Sequence, residues 1–344
     1  MRKKKSLTHQ FLKLVSSPSV SDNPEFDAQD SSELYRYAIK NRLPLLYLQA
    51  LKSLDKLQVL REKYNELIER YVHSQTAICR ISELLDKTGI SYAFFKSIRP
   101  YKEVTVDIDI LIFGSDYEDT LRILRDHDYA FLGDGPLSTT FRDNDAKINL
   151  DIYNEVGVSN IVYLDKEALA DFVGKRELPN GATVSSLDPE ADLLALIAHS
   201  VIKEQMYVLS EYYTTLYYLA DMKEEGLDSF LSLTDKCKIR SAVKTHLGIT
   251  ALLHQEAHSF VPVGLMRLVK KLNMDSLELM RVRKMGFQMP LKYHPITLFR
   301  TLVEKFGEEK ARRSFASQTL SMLDLRFAST VIKRMLQHVL RETY

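Results

Sequence analysis

Apolar side chains recur at three- and four-residue steps in the first third of the chain, where Leu60, Tyr64, Leu67, Tyr71, Ile78, Ile81 and Leu85 share one helical face with Ser74. Arg61, Glu62, Glu66 and Glu69 fall on other faces, so the spacing predicts one long amphipathic helix over about 56–86. Upstream, the less regular pattern of 31–54 is broken at Pro44 and predicts two short helices or a kinked one. The period changes after Gly89, a common helix stop, and Ser91 to Lys96 is β-prone. Residues 104–112 alternate β-branched residues with carboxylates. Phe113-Gly114 then turns the chain into Ser115 to Glu118, a capping-box spacing ahead of Leu121 and Leu124. Further strands are predicted over 129–132, 138–141 and 147–153. From Asp188, read as an N-cap before Pro189, the chain returns to helix. Further helices are expected over about 191–204, 206–225, 228–256, 260–284, 295–312 and 315–342.

Composition supports this reading and closes off others. The 344 residues are 45% hydrophobic and 27% charged with only 12 Gly and 10 Pro, which excludes disordered, collagen-like and linker-dominated chains. Cys79 and Cys237 are far apart, so neither a disulfide framework nor a cysteine metal site is expected. A reducing, cytoplasmic setting fits. The basic start, Met1 to Lys5, lacks the apolar run of a signal peptide, and no stretch reaches the ~18 apolar residues of a membrane span. Residues 235–344 carry 20 Lys and Arg against 9 Asp and Glu, leaving 27 against 37 for the front part. That asymmetry suits either an RNA-docking surface or pairing with the acidic front half.

The candidate chemistry lies in Asp107-Ile108-Asp109. Alternation along a strand puts both carboxylates on one face and Ile108 on the other. Two like charges there repel unless cations balance them, and Mg²⁺ is the natural oxygen-ligated partner. Replacing either aspartate by Asn should relieve that repulsion. Asp151 stands in a similar strand, and three such acids can hold two divalent ions that clamp a phosphoryl group during in-line displacement.

Phe95-Lys96-Ser97, Asp107-Ile108-Asp109-Ile110-Leu111-Ile112 and Leu150-Asp151-Ile152 together resemble the DNA polymerase β-type nucleotidyltransferase superfamily. Within it they are most similar to the uncharacterised nucleotidyltransferase family, whose Leu-Lys-Gly turn precedes Asp-Ile-Asp-Leu-Leu-Val. The resemblance covers about 89–155 and extends to the helix with Asp192, Leu193, Leu194 and His199. It implies an α+β fold in which a small mixed β-sheet nucleotidyltransferase core (89–165) is flanked by an N-terminal helical region (1–88) and a large C-terminal helical domain (166–344). It also implies a metal-dependent transfer of NMP from an NTP to an acceptor hydroxyl, with release of pyrophosphate. Asp107, Asp109 and Asp151 would be the catalytic and Mg²⁺- or Mn²⁺-binding residues, and Lys96, Ser97 and Arg99 would bind the nucleotide. Ser97 departs from the family glycine, which lets the backbone approach phosphates. The acceptor stays open between RNA or a tRNA end, a protein or peptide hydroxyl, and a small molecule. The alternative is a catalytically degenerate module of the same fold that binds a protein or RNA partner.

Other features have plainer readings. His199 on an apolar helix suits a structural histidine, and Tyr207, Tyr212, Tyr213, Tyr217 and Tyr218 suit packing better than base stacking. His254 and His258 have a metal-like spacing without the zincin pattern, so no zinc site is assigned.

Overall fold

The computed structural model describes residues 6–18, 31–273 and 276–321, with Leu323 and Ser329. The basic start and most of the helix expected over 315–342 lie outside the described residues. Four helices come first: α1 (Leu7–Leu14), α2 (Ser31–Lys40), α3 (Pro44–Ser53) and α4 (Arg61–Lys87). Pro44 opens α3 at a position where a missing N–H costs nothing, so the broken pattern resolves into two helices. The apolar seam makes α4, and Gly89 stops it. Gly89, with φ of 72°, allows Gly89 N–H to reach Asp86 O and Ile90 N–H to reach Leu85 O, the paired bonds that close a helix C-terminus.

The sheet follows, with β1 (Tyr92–Phe94), β2 (Asp107–Ile112), α5 (Tyr117–Asp126), β3 (Tyr129–Asp134), β4 (Ser138–Asp143) and β5 (Ile148–Tyr153). A small hairpin of β6 (Val156–Val158) and β7 (Ile161–Leu164) and the short α6 (Lys166–Leu169) lead to β8 (Val173–Glu177) and β9 (Thr183–Leu187). The sheet has seven strands in the order β3-β4-β5-β2-β1-β9-β8. It is mixed: β2 runs parallel to β5 and β1 to β9, and the other neighbours are antiparallel. The expected α+β class is therefore present, and the sheet continues past residue 165 through β8 and β9.

Alternation gives the sheet two different faces. Ile108, Ile110, Ile112, Leu150 and Ile152 pack with Ile78, Ile81 and Leu85 of α4 and Leu121 and Leu124 of α5. The opposite face carries Asp107, Asp109 and Asp151 towards one end, while Leu111 and Tyr153 further along join the core of the helical regions.

The remaining chain is helical. It comprises α7 (Pro189–Ala198), a π-helical turn (His199–Glu204), α8 (Leu209–Asp221), α9 (Glu224–Lys236), α10 (Arg240–His258), α11 (Val263–Leu272), α12 (Ser276–Lys284), α13 (Pro295–Lys305) and α14 (Glu309–Ser321), with a β10 (Met206–Tyr207) and β11 (Leu291–Lys292) pair between them. The helix expected over 228–256 is two helices, because Lys238 turns left-handed with φ of 52°. Helices α1 to α3 share one core with α7 to α11. Glu103, in the β1–β2 connection, ties the site to this core by accepting the N–H groups of Leu45 and Leu46 at the start of α3. Among the described residues no helix is long and apolar enough to cross a membrane.

Glu211 lies in this core, where its carboxylate accepts from Ser200 Oγ and Val208 N–H. Burial pushes it up to about 8 from an ordinary 4.5. The folded state thus keeps the proton to higher pH than the unfolded chain, and its stability declines as pH rises from about 4.5 towards 8. Glu211→Gln retains an acceptor and cannot ionise. It should melt above wild type near pH 9, with the gap closing by about pH 5; a pH-independent gap would contradict this account.

Candidate functional site

The site forms where β1, β2 and β5 meet the π-helical turn. Parallel pairing of β2 with β5 sets Asp109 opposite Asp151 and Asp107 opposite Asn149. The three carboxylates therefore share one sheet face, as alternation predicts. Asp151 Oδ1 accepts from Thr140 Oγ1 of β4 at 2.6 Å. Among the described residues the Asp107 carboxylate has no hydrogen-bond or ion-pair partner, although most of it is enclosed.

Lys96 meets this face from the turn after β1. Its Nζ lies 3.2 Å from Asp109 Oδ1, and the two residues are only 7% and 6% exposed. The ammonium also lies 3.2 Å from His199 Nδ1, 4.5 Å from the centre of the Phe95 ring and 5.3 Å from that of Tyr153. Burial alone would raise Asp109, but the Lys96 charge, with Lys203 adding to it, holds it below the usual carboxylate range. Asp107 moves the other way, raised by burial and then by the repulsion of Asp109 and Asp151. Burial first, and Asp109 after it, also raise Asp151 against the Thr140 hydrogen bond.

Lys96, with φ of 62°, is the left-handed residue of the turn, one position before Ser97. The backbone freedom that a glycine would supply is thus used at 96. The conformation is held by Asp192 at the start of α7, whose Oδ1 accepts the Lys96 N–H while Oδ2 accepts the Tyr218 hydroxyl. Arg176 Nη1 donates to the same hydroxyl at 3.1 Å.

Ser97 is turned inward. Its Oγ accepts the Asp109 N–H at 2.7 Å and lies 3.2 Å from Phe95 O and 3.4 Å from Asp109 Oδ2. Ser97→Ala and Ser97→Gly should each destabilise the fold by about 1–3 kcal/mol, since both orphan a buried N–H, with Gly the worse because it also frees the unfolded chain. Denaturant unfolding measures this; a glycine variant as stable as wild type would refute the assignment. Arg99 points away from the carboxylates to α8, where Nη1 donates to Thr214 Oγ1 at 3.2 Å.

The π-helical turn supplies groups that strand periodicity does not announce. His199 Nε2 lies 3.0 Å from Glu204 Oε1, and its Nδ1 lies 3.3 Å from the Tyr163 hydroxyl. Burial, then the Lys96 charge, lowers His199 to about 3, so the ring is neutral. The carboxylate assigns its proton to Nε2 and leaves Nδ1 as an acceptor for the ammonium. Lys203 donates to the Tyr153 hydroxyl at 3.4 Å, and its charge acts on all three aspartates. Two signals could have found these groups: Tyr153 follows Asp151 by one strand repeat, and Lys203 follows His199 by one helical turn. By contrast, Tyr207, Tyr212, Tyr213 and Tyr218 are buried in the core, and His254 bonds Phe260 O.

No family model matches the chain, and no curated protein does. Among solved structures it is similar to an antigenic nucleotidyltransferase-like protein from Paracoccidioides brasiliensis, with 17% identity and a TM-score of 0.29 over 49% of this chain and 91% of that one.

The carboxylates fit a hard divalent ion in kind, being three oxygen-donor groups on one sheet face. In the arrangement observed, Lys96 is their counter-cation, and among the described residues no group of three or more His, Cys, Asp or Glu is placed to hold a metal ion.

Proposed function

We propose that the protein is a nucleotidyltransferase, moving NMP from an NTP to an acceptor hydroxyl. The observation that carries this reading is the register that puts Asp107, Asp109 and Asp151 on one face, with a clamped lysine turn opening onto it. Asp107, Asp109 and Asp151 would hold Mg²⁺ or Mn²⁺, which when bound would screen the phosphate oxygens and favour the ionised acceptor. Lys96 and Lys203 bring positive charge to the triphosphate, and Ser97 fixes the backbone beneath Asp109. The acceptor oxygen bonds to the α-phosphorus, the α–β bridging bond breaks, and pyrophosphate leaves. Asp151, whose affinity for protons is raised by burial, receives the hydroxyl proton.

An RNA acceptor is favoured by Arg283 and Lys284, exposed at the end of α12. Much of the remaining basic surface is paired: Arg267 and Lys271 meet Glu224 and Asp228, and Lys310 meets Glu155 and Asp165. The Lys96–Asp109 pair itself favours a second reading, a noncatalytic nucleotide-binding module in which the lysine replaces the metal. Incubation with each α-labelled NTP, Mn²⁺ and a total cellular extract separates the two. Label should enter one size class with wild type and not with Asp151→Asn; no labelling with any nucleotide would leave the second reading.

A further inference from the structure

We propose that Lys96 guards the carboxylate face, so that a divalent cation enters only when a triphosphate draws the ammonium away. The inference rests on the functional reading above and adds an order to it.

The ammonium occupies a built receptor. Asp109 supplies a charge, His199 Nδ1 a lone pair, and Phe95 and Tyr153 two ring faces, all within a buried pocket. His199 is itself fixed by Glu204, so its acceptor nitrogen is aimed at the lysine. Only the side chain is free to leave, because Asp192 anchors the Lys96 backbone. A divalent ion and the ammonium compete for Asp109, because both are cations drawn to one buried carboxylate whose Oδ1 lies 3.2 Å from Nζ. Asp107, on the same strand face as Asp109, supplies a second carboxylate that would draw the ion once Asp109 is released.

A triphosphate offers Lys96 another anion. Moving the ammonium to it exposes Asp109, so nucleotide and cation bind cooperatively. Each must raise the affinity of the other by the same factor.

The test is Mn²⁺ binding to the full chain by calorimetry, with and without a non-hydrolysable NTP analogue. Free Mn²⁺ should bind wild type weakly, and saturating analogue should strengthen binding at least tenfold beyond the metal's affinity for the analogue itself. Lys96→Met should bind free Mn²⁺ at least tenfold more tightly than wild type and gain little from the analogue, although it loses a phosphate-binding charge. Lys96→Gln, which keeps a hydrogen-bonding side chain, serves if the methionine variant does not fold. Equal, nucleotide-independent Mn²⁺ binding by wild type and variant would overturn the guard and leave the functional reading standing. Absence of Mn²⁺ binding in every combination would overturn both.

Discussion

Asp107→Asn and Asp109→Asn will move stability in opposite directions, although both remove one of two neighbouring carboxylates from the same strand face. Asp109 carries the counter-charge of a buried ammonium, so Asn there leaves Lys96 unpaired in a site closed to water. Breaking such a pair costs about 3–5 kcal/mol. At Asp107 burial and the repulsion of Asp109 and Asp151 outweigh the attraction of Lys96 and Lys203, so Asn there should be neutral or stabilising. Relief of repulsion at both positions, the expectation from strand alternation, thus holds for Asp107 alone. The benefit has a pH sign. Because Asp107 is raised above its ordinary value, wild type neutralises it on acidification, and the advantage of Asn fades as pH falls. Denaturant unfolding near neutral pH checks both variants. Adding Lys96→Met to Asp109→Asn should recover most of the loss, since the buried ammonium that lost its counter-charge is then gone. Equal effects of the two single substitutions would show that Lys96 does not neutralise Asp109.

Asp192→Ala is expected to disable the turn without touching a carboxylate of the cluster. Asp192 satisfies a backbone N–H and a tyrosine hydroxyl that are both buried, and it holds Lys96 in a backbone conformation that residues with a Cβ rarely adopt. Alanine orphans the Lys96 N–H, at about 1–3 kcal/mol, and leaves the Tyr218 hydroxyl only the longer contact to Ile98 O at 3.4 Å. Nucleotide affinity, read by equilibrium dialysis, should fall at least tenfold as the turn relaxes. Asp192→Asn keeps one acceptor oxygen and should retain part of the affinity. Tyr218→Phe, which leaves the Lys96 bond in place, should cost stability and little affinity. Unaltered nucleotide binding by Asp192→Ala would show that this turn does not grip the substrate.

The pattern along the chain determined what local periodicity can specify. A six-position apolar seam from Tyr64 to Leu85 makes α4 in any surroundings that offer it a hydrophobic face, and the glycine after it closes the helix by its own backbone freedom. Alternation in β2 and β5 likewise placed the acids opposite the isoleucines and Leu150. Strands β8 and β9 escaped because they lie at one edge of the sheet, with Lys175, Arg176, Thr183 and Ser185 among their residues and little apolar alternation to mark them. Only the tertiary structure decided which strands pair, and hence that Asp109 faces Asp151. Only it put the left-handed residue at Lys96, turned Ser97 towards the Asp109 N–H, sent Arg99 to α8, and swung His199 and Lys203 over the acids on a π-helical turn. Each of these choices is set by groups far apart in sequence: Asp192 bonds Lys96 across 96 positions and His199 meets it across 103. Short-range spacing specifies the element and its buried face, whereas the partner of a buried charge is fixed by whichever donor or acceptor the packed chain brings beside it.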